Sequence, residues 1–203
     1  MNKSAGTRLD ILQRSFELIY KNGFQATSID AIIASTNVTK GAFFYHFKNK
    51  EEMGLALITE VLSPGMQEAM IRPLQAATEP LGAIYKMMEG LLLHDPFFKI
   101  EYGCPAVNLI EEMGPLNELF SSALRNLLSA WQNAIQLVLE DAKAAGKIQE
   151  KTDSKEVALF ITAGYGGIRN MGKILGKDCY TSFLTQFKAY LNALQPNNPS
   201  PIH

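Results

Sequence analysis

The sequence predicts an all-α protein, and three observations carry that expectation. Apolar residues recur three and four positions apart through nearly the whole chain, and Gly and Pro fall mostly between those segments. The 203 residues are 47% hydrophobic and 19% charged, enough apolar material to build a core and too little charge to keep the chain open.

The elements follow in order. A first helix is expected from Thr7 as N-cap, with Leu9, Leu12, Phe16, Ile19 and Tyr20 on one face and Gly23 as a left-handed stop. Thr27 and Asp30 approximate a capping box before the short helix SIDAIIAS, whose apolar contribution is Ile29, Ile32 and Ile33. A turn at Thr36-Asn37-Val38 leads to a third helix ending near His46. Asn37 belongs to the few non-Gly types that tolerate positive φ. Asn49 caps a fourth helix with Glu51 and Glu52 in its first turn, and Ser63-Pro64-Gly65 closes the unit. Further helices are expected near 65–77, 80–93, 105–113, 116–145, 154–175 and 179–194, followed by a Pro- and Asn-rich tail read as disordered.

Composition excludes several classes. Cys104 and Cys179 are too far apart for a CxxC pair and too few for a disulfide framework. No apolar stretch approaches the roughly 18 to 20 residues of a membrane span, and the N-terminal residues interleave charge with apolar positions, unlike a signal peptide. The expectation is a soluble cytoplasmic protein.

The formal charge of −1 hides a local patch. Residues 36–50 hold three Lys, one His and no acid beside four aromatic rings. A short bracing helix, a tight turn and a second short helix form a unit that can project into a major groove about 12 Å wide. Phe43 and Phe47, four apart, can pack inward with Val38, leaving Lys40, Gly41, Phe44, Tyr45 and His46 outward. Thr27 or Ser28 at a helix N-terminus, His46 and Lys50 can hold phosphates. Thr39, Lys40 and the backbone at Gly41 lie at the leading end of the reading helix, where Gly41 permits close approach to bases. A protein-interaction surface is the alternative for this exposed aromatic, basic helix.

The run YKNGFQATSIDAIIASTNVTKGAFFYHFKNKEEMGLAL resembles the DNA-binding domain of the TetR (tetracycline repressor) family of bacterial transcription regulators over roughly residues 7–60. The family pattern is matched at Thr27, Val38, Lys40, Gly41, Tyr45, His46, Phe47, Lys50 and Glu51. The chain departs from it at Asn37 for the turn Gly, Thr39 for Ser, Ala42 for Thr and Phe44 for the first Tyr. The last two remove hydroxyls that commonly touch phosphate or base in the family and favour a more apolar readout. The resemblance implies a helix-turn-helix domain at 1–62, a helical ligand-binding and dimerisation domain at 63–195 and the tail at 196–203. GCPAVNLIEEMG at 103–114 resembles a stretch in one branch of the family, and helices 154–175 and 179–194 match the place of its four-helix dimer interface. There Ala158, Ala163, Gly164, Gly167 and Gly172 are small enough for helix axes to approach.

The implied function is a ligand-responsive regulator, in family habit a repressor, binding a palindromic operator as a homodimer and released by a small molecule. Trp131, Tyr165, Arg169, Asn108 and Cys104 are the candidate ligand residues, with surface or interface positions the alternative for Tyr165, Asn108 and Arg169; the methionines 66, 70, 87, 88 and 113 with Phe97, Phe98, Phe120 and Trp131 read mostly as core, some able to line an adaptable apolar pocket. Cys104, before Pro105 at a helix start, is either a small buried thiol or a redox or electrophile sensor controlling DNA binding. His94-Asp95 lacks further ligands at a metal spacing, GYGGIRNMG fails the dinucleotide fingerprint, and no nucleophile, acid–base or P-loop motif is found. No catalytic residue, metal or cofactor is therefore expected, and an enzyme on a helical scaffold is the remaining alternative.

Overall fold

A computed structural model describes residues 3–75 and 77–196, with side chains from residue 5 onward. Among the described residues the regular structure is helical throughout. The helices are α1 Lys3–Asn22, α2 Ile29–Ala34, α3 Lys40–His46, α4 Lys50–Leu57, α5 Ser63–Met66, α6 Arg72–Gln75, α7 Pro80–Glu89, α8 Pro105–Met113, α9 Glu118–Ala144, α10 Ser154–Leu175 and α11 Asp178–Ala193. No helix among these residues is long and apolar enough to cross a membrane. Of the expected disordered tail, 197–203 lie outside the described residues.

The chain divides into two compact units. The first comprises residues up to Gly65 together with Cys104–Leu127, and the second Met66–Gly103 together with residues from Leu128 onward. The expected DNA-binding segment 1–62 lies in the first unit, joined there by α8 and the start of α9.

In the first unit α1 packs on α2 and α4, and α2 on α3. Ile11, Leu12, Phe16, Ile19 and Tyr20 are buried along α1, and Phe16 stacks on Tyr20 with centroids 5.9 Å apart. Leu9, expected on that face, is exposed, and the helix begins at least four residues before Thr7, so Thr7 is not its cap. Phe43 and Phe47 are fully inside, as their four-residue spacing requires. In the second unit α7 packs on α11 and α10 on α11. Ile84, Met88, Ile135, Leu139, Ile161, Tyr180 and Leu184 are buried there.

Four sequence expectations about local structure are corrected. Asn37 does not have positive φ: no non-Gly residue described does. The turn is held instead by Thr36, whose hydroxyl donates to Ile33 O at 2.9 Å and accepts from Val38 N at 3.4 Å. Phe97 is exposed rather than core, and Met66 is half-buried. Ser63-Pro64-Gly65 does not end a helix. The residues before it, Ile58–Leu62, form a π turn in which Ser63 N–H reaches five residues back to Ile58 O.

The same pattern recurs before Pro73, where Arg72 N–H donates to Gln67 O, and before Pro96, where Asp95 N–H donates to Gly90 O at 2.9 Å. Proline cannot donate, and in an α-helix its ring collides with the carbonyl four residues earlier. A preceding i→i−5 closure widens the turn, so the proline enters helical backbone without stopping it at Pro64 and Pro73.

Candidate nucleic-acid interface

The site begins with the loop that feeds α2. Gly23 takes φ 90°, which a side chain would resist, and its N–H bonds Ile19 O at 2.8 Å to end α1. The chain then turns Phe24 inward, against Phe120 with centroids 5.1 Å apart. Three groups pin this loop. Thr27 donates its hydroxyl to Gly23 O at 2.7 Å; the Glu112 carboxylate accepts from Phe24 N at 2.7 Å and Gln25 N at 3.1 Å; and Lys50 Nζ donates to the carbonyls of Phe24, Gln25 and Thr27 at 3.0, 3.3 and 3.2 Å.

Thr27 and Lys50, both expected at phosphates, are engaged within the chain. Thr27 is 2% exposed with its hydroxyl committed inward, and Ser28 takes the capping role, accepting from Ala31 N at 3.1 Å. The three N–H bonds of the Lys50 ammonium are directed at three carbonyls of its own chain, with the Phe24 ring 4.7 Å beneath. Lys50 thus pins the loop that enters α2.

Helix α3 starts at Thr39, whose hydroxyl accepts from Ala42 N at 3.2 Å, and presents two faces. Phe43 and Phe47 anchor it, while Phe44 and Tyr45 are 44% and 78% exposed. Phe44 meets Phe43 edge-on at 5.4 Å, and Tyr45 meets the half-buried His46 ring at 5.0 Å. Lys40 pairs with Asp30 at 3.0 Å, but both groups are in solvent, so the pair opens at little cost. A Cβ built on Gly41 would meet nothing nearer than Thr39 Oγ1 at 3.9 Å, so the protein interior does not require glycine there.

The far end of α3 is held by a residue that sequence reasoning missed. Arg8 donates from Nη1 to His46 O at 3.0 Å, from Nη2 and Nε to Glu60 at 2.6 and 3.2 Å, and lies 4.4 Å from the Phe47 ring centroid. The hydrogen bond to Glu60 raises the guanidinium above its ordinary pKa. Nothing local in the sequence marks Arg8 or Glu112, because their partners lie 38 to 88 residues away.

The candidate ligand residues divide between the units. Cys104, 3% exposed, and the half-buried Asn108 belong to the first. Trp131, Tyr165 and Arg169 are buried in the second, where the Trp131 ring meets Tyr165 edge-on at 5.2 Å and its Nε1 approaches Met87 Sδ at 3.4 Å. Tyr165 and Arg169 stand one turn apart on α10. A separate cavity of about 770 Å³ in this unit is lined by Met87, Lys86, Gly90, Leu91 and His94 among others, and by none of the five candidates.

Residues 11–57 match the family model described as bacterial regulatory proteins, tetR family, and residues 77–187 match the tetracyclin repressor-like C-terminal domain. An uncharacterised HTH-type transcriptional regulator of Lactococcus lactis is 34% identical over 129 residues, 64% of this chain and 66% of that protein. The transcriptional regulator AcuR of Cereibacter sphaeroides is 27% identical over 185 residues, 87% of this chain and 81% of that one. A solved TetR-family regulator from Cytophaga hutchinsonii superposes with a TM-score of 0.85 over 98% of this chain and 99% of its own, at 18% identity, and so shows a shared fold. The chain belongs to the tetR family of bacterial regulatory proteins: it is a DNA-binding transcription regulator with an N-terminal helix-turn-helix.

Proposed function

We propose that the protein represses transcription as a homodimer, each protomer seating α3 in the major groove of one half of a palindromic operator, and that a small molecule in the second unit releases it. The observation that carries this reading is the two-faced α3: two Phe anchors inside, and Thr39, Lys40, Gly41, Phe44 and Tyr45 turned outward. Ser28, His46 and the exposed Lys48 hold phosphates, Lys48 replacing the committed Lys50. Lys40 leaves Asp30 to reach a base edge or phosphate, and Phe44 and Tyr45 offer apolar contact to thymine methyls.

The pairing surface lies on α10. Leu159, Phe160, Met171 and Ile174 are between 55% and 87% exposed, and Ala163 and Gly167 continue the same stripe. Such a contiguous apolar face on a soluble helix marks a protein contact. Of the small residues expected there, Ala158 is buried, and a Cβ on Gly164 or Gly172 would press against Phe183 or Tyr180 of the same chain, so only Ala163 and Gly167 serve an outer approach. A two-fold pair also matches what an operator with half-sites one or more helical turns apart needs. Release follows when the effector binds the non-operator arrangement more tightly, since equal affinity for both shifts nothing.

Sedimentation of the purified chain with footprinting on genomic fragments tests the reading. The expected result is a dimer protecting two symmetric half-sites, with Tyr45→Ala and Lys40→Ala relaxing sequence preference. A monomer at working concentration, or equal affinity for operator and random duplex, overturns it.

A further inference from the structure

Arg169 is fully buried on α10, and its charge has no partner of opposite sign among the described residues. Its Nη2 donates to Gly103 O and, at 3.3 Å, to Lys99 O. The rings of Phe98 and Tyr180 lie 5.1 and 5.6 Å from its Cζ. Nε and Nη1, which carry three of the five guanidinium N–H bonds, have no hydrogen-bond partner among the described residues. Two carbonyl dipoles and two aromatic faces compensate part of the cost of burying this cation, but donors left open inside a protein are costly unless something accepts from them.

From this arrangement we infer that Arg169 is the anchor for a small molecule bearing a carboxylate, a reading that rests on the effector site proposed above. A planar, singly charged carboxylate matches the planar guanidinium in both charge and hydrogen-bond geometry. Tyr165, one turn earlier on α10, and Trp131 edge-on to it supply an aromatic wall for the apolar body of such a ligand. Phe98, half-buried, lies on the connection 95–103, whose regular structure is the single 3-10 turn Ile100–Tyr102, so it is the side chain such a ligand would displace. The Lys99 carbonyl, at the long end of hydrogen-bond range, is the contact an incoming carboxylate exchanges with first.

The single tryptophan makes the site directly observable. Full-length protein is titrated at constant ionic strength with hexanoate and benzoate and with their neutral amides, following Trp131 fluorescence, and operator affinity is measured in parallel. The expected result is saturable binding of at least one acid, its amide binding about 10- to 100-fold more weakly. Arg169→Met should remove that preference and Arg169→Lys should keep part of it. Should Arg169→Met fail to fold, the wild-type acid–amide comparison decides alone. Equal binding of acid and amide, acid binding unchanged in Arg169→Met, or no binding of either acid overturns the anion site. Acid binding through Arg169 without DNA release leaves the site standing and removes the effector reading. DNA release by a neutral compound with no acid binding does the reverse.

Discussion

Replacing Lys50 by Met separates a structural pin from a phosphate contact, because the two roles predict opposite results in two assays. Two of the three carbonyls that Lys50 serves, those of Phe24 and Thr27, are part-buried, whereas that of Gln25 is in solvent and finds water. A hydrogen bond from a charged donor contributes about 1.5–3 kcal/mol. Partial rehydration of the two part-buried carbonyls reduces the sum, so the loss should be about 2–4 kcal/mol. For a chain of this length each kcal/mol lowers Tm by about 2–4 °C, which gives a drop of roughly 5–15 °C by calorimetry. The salt dependence of operator binding, measured by fluorescence anisotropy below that Tm, should keep its slope. A phosphate contact instead contributes about 0.9 to the slope per protomer. Lys48→Met is the matched control, expected to lower the slope with Tm nearly unchanged. An unchanged Tm in Lys50→Met together with a slope reduced by about 0.9 per protomer would refute the pin.

Gly41→Ala should stabilise the free protein by up to about 1 kcal/mol in urea unfolding, since its Cβ meets only Thr39 Oγ1 at 3.9 Å, while operator affinity falls about tenfold through lost close approach. Gly54→Ala should destabilise by about 1–3 kcal/mol, because the new methyl lands 2.6 Å from both the Phe24 and Phe120 rings; unchanged stability in urea unfolding would refute the need for glycine between them. Glu112→Ala should cost about 1–3 kcal/mol and speed amide hydrogen exchange at Phe24 and Gln25, the two N–H groups it holds. Burial pushes the Cys179 thiol above its ordinary pKa, so its alkylation by iodoacetamide at pH 7.5 should be slower than that of a free thiol and should accelerate as pH rises. Cys104, at 3% exposure, should react only on unfolding; native labelling within minutes would favour the sensor reading.

Most helices were legible because their signals are local. Asn49 and Asp153 accept from the N–H groups that a helix start leaves open, Gly23, Gly146 and Gly176 take positive φ where helices end, and Pro80 and Pro105 stand at first-turn positions. The inward Phe43 and Phe47 and the outward Phe44 and Tyr45 follow from helical periodicity alone. Pro64 defeats the same local logic. A proline inside a periodic pattern ordinarily marks an end, and the π turn that admits it has no residue signature in the sequence.

What stayed illegible is long-range polar partnering. Lys48 and Lys50 are the same residue type two positions apart, yet one is exposed and the other faces carbonyls 23 to 26 residues away. Thr27 and Ser28 are adjacent hydroxyls, and which of them turns inward depends on where Gly23 places its carbonyl. These partners also fix how the reading helix is held. Arg8 grips the end of α3 at His46 O, while Lys50 and Glu112 grip the loop that enters α2, so the helix-turn-helix is clamped at both ends. Hydrogen bonds weaken steeply with distance, and the Glu112 contact to Phe24 N starts at 2.7 Å. A displacement of α8 by about 1 Å therefore either drags the loop with it or breaks the clamp. Glu112 is thus the position where motion of α8 would first change the stance of α3; if a small molecule releases the operator as proposed, Glu112→Ala should weaken that release, read by fluorescence anisotropy, more than it weakens operator binding itself.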